Sequence, residues 1–278
     1  MRGTISRPFA SSSVMKARPI LFFDSGVGGL PYLEAAENAL PGECFAYLAD
    51  REHFPYGEKE QDRLHHLVVA AMERALQRID PKLVVVACNT ASVVALKHLR
   101  SRFSLPFVGV VPAVKLAADN MQTGKIGVLS TRQTSSAGYT ERLINSFASH
   151  CEVVRIGLPG MVDLVEYDFF TTTSAEKRAA IAAELEQGIP AGIDTIVLAC
   201  THFILIEEEL RQVLGRGIRL VDSREGVTRQ LVRVLSAEKL AAESCDGRNR
   251  LYLTGPAPPE ERYRLFAARY GLASVEIL

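Results

Sequence analysis

Short apolar runs alternate with longer amphipathic runs along most of the chain. From Glu60 to Ile79, apolar residues recur at the spacing of one helical face, whereas VVVA (84–87) and IVLA (196–199) are continuous apolar stretches. We predict strands at residues 19–24, 46–50, 83–88, 106–111, 125–131, 152–158, 195–201, 219–222 and 249–255. We predict helices near residues 30–40, 60–79, 91–103 and 113–121, over about 15 residues after 131, from 173 to about 189, after 201, from about 223, and from Pro258-Pro259.

This alternation of strands and helices predicts a parallel α/β architecture. The uninterrupted apolar strands predict a sheet that is covered on both faces. In such sheets, ligands bind at the carboxyl ends of the strands. Four polar clusters fall at those ends: DSG after PILFF, PYG after AYLAD, CNT after VVVA and CTH after IVLA. The sequence therefore places a candidate site where these four clusters would meet.

Composition narrows the choice of partners. Hydrophobic residues make up 47% of the 278, enough for a large core, and 32 basic residues balance 32 acidic ones. Without a basic excess, nucleic acid is not an expected partner. No apolar run approaches the roughly 20 residues that a membrane-spanning helix needs. Residues 1–17 lack the apolar core of a signal peptide, and we interpret them as a disordered extension.

The cysteines carry the clearest chemical signal. The sequence has five, none in a CxxC pair, which favours free thiols in a reducing, cytoplasmic compartment. Cys88 and Cys200 each end one of two similar strands and precede small polar residues that can bind an anion. Buried cysteines often only fill a core. Alternatively, the two could form a disulfide, bind zinc together with His202 and Asp24, or transfer protons on opposite faces of one carbon.

Four motifs together resemble the cofactor-independent glutamate racemases of the aspartate/glutamate racemase superfamily. They are DSGVGGL (24–30), PYG (55–57), ACNTAS (87–92) and LACTH (198–202), and the resemblance covers roughly residues 19–255. It implies an α/β fold of two pseudo-symmetric three-layer αβα domains with mainly parallel sheets and an active site in the cleft between them. We expect the first domain to hold 18–112 plus 220–278 and the second to hold 113–219.

The resemblance also implies a reaction, the interconversion of L- and D-glutamate for peptidoglycan by two-base proton transfer without cofactor or metal. Cys88 and Cys200 match the catalytic thiols, with Asp24 beside the first, His202 assisting the second, and Glu166 as a further acid near the second. The residues expected to contact the substrate are Asp24, Ser25, Tyr56, Gly57, Asn89, Thr90, Thr131, Thr134, Thr201 and His202.

Two positions depart from the family pattern. Phe203-Ile204 stand where the family usually has Tyr-Pro, and Gln133 replaces a glycine. The alternatives are therefore a racemase for aspartate or another amino acid, or a catalytically silent amino-acid-binding protein. We further expect a cytoplasmic homodimer that binds glutamate. The remaining candidates are interpreted as structural or surface residues: Cys44, Cys151, Cys245, His53, His65 and His66.

Overall fold

Parallel strands form two separate sheets in the computed structural model, which describes residues 18–130, 138–186, 188–245 and 247–278. The strands are β1 Ile20–Asp24, β2 Phe45–Ala49, β3 Leu83–Val86, β4 Phe107–Gly109, β5 Lys125–Ser130, β6 Glu152–Gly157, β7 Thr195–Leu198, β8 Arg219–Val221, β9 Arg250–Leu253 and β10 Val275–Ile277. The predicted 195–201 and 83–88 strands thus end before their cysteines, at the point where the backbone leaves the sheet.

Helices connect these strands. They are α1 Leu30–Ala39, α2 Gln61–Arg78, α3 Asn89–Arg102, α4 Val114–Asn120, α5 Gly138–Phe147, α6 Pro159–Tyr167, α7 Ser174–Glu184, α8 Glu207–Leu214, α9 Arg224–Ala237 and α10 Glu261–Arg269. Short 3₁₀ turns lie at Arg51–His53, Tyr56–Glu58 and Thr201–Ile206. None of the helices in the described ranges is long and apolar enough to cross a membrane.

The strand order repeats between the two sheets. The strand order is β10-β9-β2-β1-β3-β4 in the larger sheet and β6-β5-β7-β8 in the smaller one. Within each sheet, every pair of neighbouring strands in the described chain is parallel. The segment β2-β1-β3-β4 of the larger sheet therefore has the same order as β6-β5-β7-β8, so that β1 corresponds to β5 and β3 to β7. The predicted α/β class with parallel sheets is confirmed.

Each sheet is packed on both faces, as its apolar strands require. In the larger sheet, Leu21 and Phe23 face α2 and α3, while Ile20 and Phe22 face the side of α1, α9 and α10. The smaller sheet has α4 and α5 on one side and α6, α7 and α8 on the other. Because each buried Leu, Ile or Phe side chain contributes about 1.5–3 kcal/mol, these layers hold the strand ends in fixed positions.

Several element boundaries differ from the predictions. The helix that follows Thr173 has the predicted capping box but ends at Glu184 instead of near 189. The last helix begins at Glu261, so Pro258 and Pro259 precede it and do not form its first turn. Helix α6 and strand β10 were not predicted at all.

One pair of cysteines departs from the expectation of free thiols. Cys44 and Cys245 form a disulfide across a sequence separation of 201 residues. Cys44 immediately precedes β2, and Cys245 lies in the segment leading to β9, which is the neighbour of β2 in the sheet. Tertiary structure therefore brings together two residues whose spacing carried no sign of pairing. Nearby, Lys82 and Glu43 form a fully buried ion pair.

The division into domains stays a prediction. The expected boundary between residues 219 and 220 falls inside β8, which belongs to the smaller sheet. The next helix, α9, packs against α1 beside the larger sheet. Residues 1–17 lie outside the described part of the chain.

Candidate active site

A cavity of about 330 Å³ opens where carboxyl ends of strands from both sheets meet. This volume lies within the range of small-molecule sites, near its lower end. The residues that line it are Ser25, Phe54, Pro55, Tyr56, Gly57, Glu58, Cys88, Asn89, Thr90, Pro159, Val162, Asp163, Ala199, Cys200, Thr201 and His202. Among the described residues of this lining, the groups that can donate to an anionic ligand are neutral side chains and His202.

The two cysteines occupy corresponding positions on this cavity. Cys88 comes two residues after the end of β3, and Cys200 comes two residues after the end of β7. Both have extended backbone and are followed at once by a helical turn. Their side chains are mostly buried, with 6% and 9% exposed, yet both reach the cavity. The repeated strand order thus brings one thiol from each sheet to a single site.

Asp24, at the end of β1, lies beside Cys88 and is fully buried. Its Oδ1 accepts the Ser25 backbone N–H at 2.6 Å, and its Oδ2 accepts the Thr201 hydroxyl at 3.1 Å. Burial raises the pKa of Asp24 to about 6, although the charge of His202 and a hydrogen bond from the Cys88 thiol oppose the rise. The carboxyl is therefore a base of intermediate strength held against the first thiol.

The environment of Cys88 favours the protonated thiol. Burial raises the pKa of Cys88 well above its usual value, and the negative charge of Asp24 raises it further. A hydrogen bond from the Ala91 backbone N–H at the start of α3 opposes this only partly. At neutral pH the proton therefore resides on Cys88 when the cavity holds no ligand.

Cys200 has a different partner. Its Sγ lies 4.0 Å from Nδ1 of His202, and Nε2 of the same ring lies 3.1 Å from Oε2 of Glu166. Burial alone would lower the pKa of His202, but hydrogen bonds to Cys200 and Glu166, and the charges of both, raise it to about 10. At neutral pH the ring is therefore an imidazolium, and it holds a positive charge beside the Cys200 sulfur.

Glu166 is held by contacts from three segments. Besides His202, its Oε2 accepts the Val27 backbone N–H at 2.9 Å, and its Oε1 accepts the Tyr263 hydroxyl at 2.8 Å. The carboxyl is 1% exposed, because α6 directs it into the protein and away from solvent. Glu166 thus links the DSGVGG turn, the last helix and His202.

Comparisons with known proteins identify the family of the chain. Residues 35–231 match the family model described as Asp/Glu/Hydantoin racemase. The chain belongs to this racemase family. A glutamate racemase from Sphingopyxis alaskensis is 39% identical over 260 residues, which cover 93% of this chain and 96% of the relative. One from Salmonella typhimurium is 38% identical over 274 residues, covering 98% and 96%.

Solved structures of racemases superpose closely. The crystal structure of Escherichia coli glutamate racemase in complex with L-glutamate and the activator UDP-MurNAc-Ala has a TM-score of 0.86 at 38% identity, covering 94% of this chain and 98% of that one. The Thermus thermophilus glutamate racemase in complex with β-chloro-D-alanine has a TM-score of 0.76 at 32% identity, covering 95% and 97%. The resemblance inferred from the four motifs is confirmed.

The glycines of the racemase-family DSGVGGL motif have a steric reason. A Cβ on Gly28 would lie 2.5 Å from both His202 Nδ1 and Thr201 Oγ1, and one on Gly26 would lie 2.3 Å from Glu166 Oε2. The turn after β1 therefore packs directly onto the groups that surround the second thiol. Tyr47 holds this turn in place, because its hydroxyl donates to the Gly26 carbonyl at 2.8 Å and accepts the Gly29 N–H at 3.0 Å.

Asn89 is the clearest candidate for binding the ligand of this racemase-family site. Its side chain is 3% exposed, and neither its Oδ1 nor its Nδ2 has a hydrogen-bond partner within the described chain. Leaving a buried amide unpaired costs about 1–3 kcal/mol per group, so a ligand that pairs it gains that amount. Thr90, Ser25 and Thr201 also border the cavity.

The PYG segment forms one wall of the cavity. Tyr56 and Gly57 line it, and the Tyr56 hydroxyl donates to Asp50 Oδ2 at 2.5 Å. Asp50, directly after β2, also accepts the Thr254 hydroxyl at 2.5 Å and contacts His53 Nδ1 at 2.9 Å. Asp50 was not among the predicted site residues, although AYLAD ends in it.

The remaining predicted contacts, the positions that depart from the family pattern and the candidate zinc site are less closely tied to the cavity. Thr131, Gln133 and Thr134 are outside the described residues. Phe203 and Ile204 are buried in the core and are not part of the cavity lining. The four candidate zinc ligands do not gather, since the one group of at least three potential ligand atoms within 4.8 Å in the described chain is Asp50, Glu52 and His53.

Proposed function

We propose that the chain is a glutamate racemase that transfers protons between Cys88 and Cys200 through the α-carbon of the substrate. The observation that carries this proposal is that two topologically equivalent strands, one from each sheet, deliver a cysteine to the same cavity. A site that only binds an amino acid needs no pair of thiols. Glutamate as the substrate rests on relatives at 38–39% identity that are glutamate racemases over nearly their full length.

The proposed reaction inverts one carbon in two steps. In one direction, a thiolate at Cys200 removes the α-proton, so that the C–H bond breaks and an S–H bond forms. Cys88 then gives its thiol proton to the opposite face of the carbanion, forming a new C–H bond. In the other direction the two cysteines exchange roles. The arrangement before reaction fits the first direction, because burial and Asp24 keep the proton on Cys88 while the positive His202 ring lies beside the Cys200 sulfur.

The carbanion must be stabilised because an α-proton is far less acidic than any side chain. Fixed donors in a site that excludes water do this best, since they need no reorganisation when charge develops. Asn89, whose amide is unpaired within the described chain, lines the cavity, and the 14-residue helix α3 begins there. Ser25, Thr90 and Thr201 add hydroxyl groups to the lining. We assign the substrate carboxylates to these donors.

The test is incubation of purified protein with L- or D-glutamate in heavy water without added cofactor, with aspartate as the comparison substrate. We expect loss of optical rotation together with deuterium at the α-carbon, and faster reaction with glutamate. Faster reaction with aspartate would favour the sister specificity within the superfamily. Saturable glutamate binding without α-deuteration would identify a silent binding protein.

Variants of the two thiols test the mechanism. Cys88→Ser and Cys200→Ser should each lower kcat by roughly 10²–10⁴-fold, because a serine hydroxyl is a much poorer acid and base than a thiol. Cys151→Ser is the matched control, since Cys151 is a free cysteine outside the cavity lining. Near-normal turnover in either active-site variant would contradict the two-thiol mechanism.

Three further features stay predictions: a cytoplasmic location, a homodimer, and independence of any cofactor. Cell fractionation measures the location, and analytical ultracentrifugation of the full chain measures whether it forms a homodimer. Activity that persists after exhaustive dialysis against a metal chelator and that does not respond to pyridoxal phosphate would support the last. Loss of activity on dialysis would contradict it.

A further inference from the structure

Tyr263 contacts the catalytic groups from an unexpected part of the chain. It lies in α10, which is beyond the family match at residues 35–231 and outside the four sequence motifs. Its side chain is 1% exposed, and its hydroxyl donates to Glu166 Oε1 at 2.8 Å. Burial and the neighbouring charge of Glu166 raise the pKa of Tyr263 above its usual value, so the phenol keeps its proton and acts as a donor.

Both carboxylate oxygens of Glu166 have hydrogen-bond partners. The Tyr263 hydroxyl occupies Oε1, while the Val27 backbone N–H and His202 Nε2 share Oε2. The carboxyl cannot rotate without losing all three contacts, and it is too buried to replace them with water. Tyr263 is the contact that fixes the oxygen not used by His202.

The orientation of Glu166 decides which nitrogen of His202 faces the thiol. Because Nε2–H donates to Glu166, the proton on Nδ1 is the one directed at Cys200 Sγ, 4.0 Å away. A carboxyl that turned away would release the ring, and the positive charge of His202 would no longer be held beside the Cys200 sulfur. Cys88 has a separate partner, Asp24, that does not contact Tyr263.

We propose that Tyr263 is a positioning residue that acts on Cys200, and not on Cys88, by holding Glu166 against His202. The proposal rests on the proposed function for its kinetic consequence but not for its chemical one, because thiol reactivity can be measured without turnover. A purely structural role for Tyr263 would instead affect the two thiols alike.

The test is Tyr263→Phe, which keeps the buried ring and removes only the hydroxyl. Iodoacetamide is applied across a range of pH, and modification of each cysteine is followed by peptide-resolved mass spectrometry. We expect alkylation of Cys200 at neutral pH to slow by about tenfold, the scale of a lost hydrogen bond to a charged group, with Cys88 unchanged within about twofold. We expect kcat for glutamate to fall by a similar factor while KM changes by less than about twofold.

Tyr32→Phe is the matched control. Tyr32 is an equally buried tyrosine whose hydroxyl bonds to Ser223 at 2.9 Å, away from Glu166. Its loss should leave both alkylation rates unchanged. Equal slowing at Cys88 and Cys200 in Tyr263→Phe, or no slowing at either, would overturn the proposal.

A second variant tests whether Tyr263 acts on Cys200 through Glu166. Glu166→Gln should slow Cys200 selectively, and adding Tyr263→Phe to it should have no further effect, because the two residues act in series. If Tyr263→Phe does not fold, the selectivity of Glu166→Gln carries the comparison, and equal effects on both thiols refute it. If the wild-type chain shows this alkylation pattern but no racemisation, the proposed function fails while the positioning role stands.

Discussion

The substitution Asp24→Asn should stabilise the folded protein at neutral pH and at the same time remove its activity. Asp24 is fully buried, and burial raises its pKa from the usual 3.8 to about 6 despite the opposing effects of His202, Cys88, Ser25 and Thr201. Asparagine has nearly the same shape and can still accept the Ser25 N–H. It carries no charge that must be kept out of water.

The sign and size follow from linkage between protonation and folding. Below pH 3.8 the carboxyl of Asp24 is protonated in both states and costs nothing. Between 3.8 and about 6 the unfolded chain releases the proton while the folded protein keeps it, so stability falls as the pH rises. The loss totals about 3 kcal/mol and persists at higher pH. A chain without this carboxyl avoids that loss.

The assay is denaturant unfolding of wild type and Asp24→Asn near pH 4.5, 6 and 8. From the lowest to the highest pH, the free energy of unfolding of the variant should gain about 2 kcal/mol relative to wild type. Racemisation should fall by roughly 100-fold or more, since an amide cannot take up the proton of Cys88.

Thr201→Val serves as the control because it removes a hydrogen bond to Asp24 and keeps the carboxyl. Thr201→Val should retain the fall in stability with rising pH and make the total fall larger. In the wild type the hydrogen bond from Thr201 lowers the pKa of Asp24, so its removal raises that pKa further. A stability difference between Asp24→Asn and wild type that stays constant across this pH range would refute the reasoning.

Three further substitutions test the packing around the site and the sheet. Gly28→Ala puts a Cβ 2.5 Å from His202 Nδ1, so we expect a loss of about 1–3 kcal/mol in stability and at least roughly tenfold in kcat. Lys82→Met leaves Glu43 buried without its partner and should cost about 3–5 kcal/mol with kcat unchanged. Cys245→Ser removes the disulfide and should cost about 2–4 kcal/mol in unfolding free energy, again without loss of kcat.

Each has a control in the same chain. Gly226→Ala should be harmless, because nothing lies within 4 Å of the added Cβ. Replacing Lys82 and Glu43 together by apolar residues should recover most of the lost stability. Dithiothreitol should lower the melting temperature of wild type to that of Cys245→Ser and leave the variant unaffected. Stabilities that do not change in Lys82→Met or Cys245→Ser, or unchanged kcat in Gly28→Ala, would contradict these contacts.

Local pattern was sufficient to find the sheets and the thiols. Runs such as VVVA and IVLA are apolar on both faces, which only a covered parallel strand requires, and the residues after them must lie at the carboxyl edge. Cys88 and Cys200 could therefore be placed on a common site before any contact was known. Asn89 and Thr201 followed because they are adjacent to the thiols in sequence.

Contacts between distant segments could not be predicted in this way. Tyr263 and Val27 meet Glu166 across sequence separations of 97 and 139 residues, and no periodicity encodes such pairings. Helix α6 was missed because it opens with Pro-Gly, which is typical of a turn, while burial of Met161 and other apolar residues stabilises it in the fold. Strand β10 is only three residues long and lies at the edge of its sheet.

The two sheets share a strand order, but the side chains that surround their two cysteines differ in charge. In the paired registers, Asp24 at the end of β1 corresponds to Ser130 at the end of β5, so Cys200 has no carboxylate in the place where Cys88 has one. His202 and Glu166 take that role, with opposite charge next to the sulfur. L- and D-glutamate have equal free energy in water, so kcat/KM must be the same for both directions whatever the thiols do. The asymmetry between a thiol beside a carboxylate and a thiol beside an imidazolium can therefore appear only in the separate values of kcat and KM.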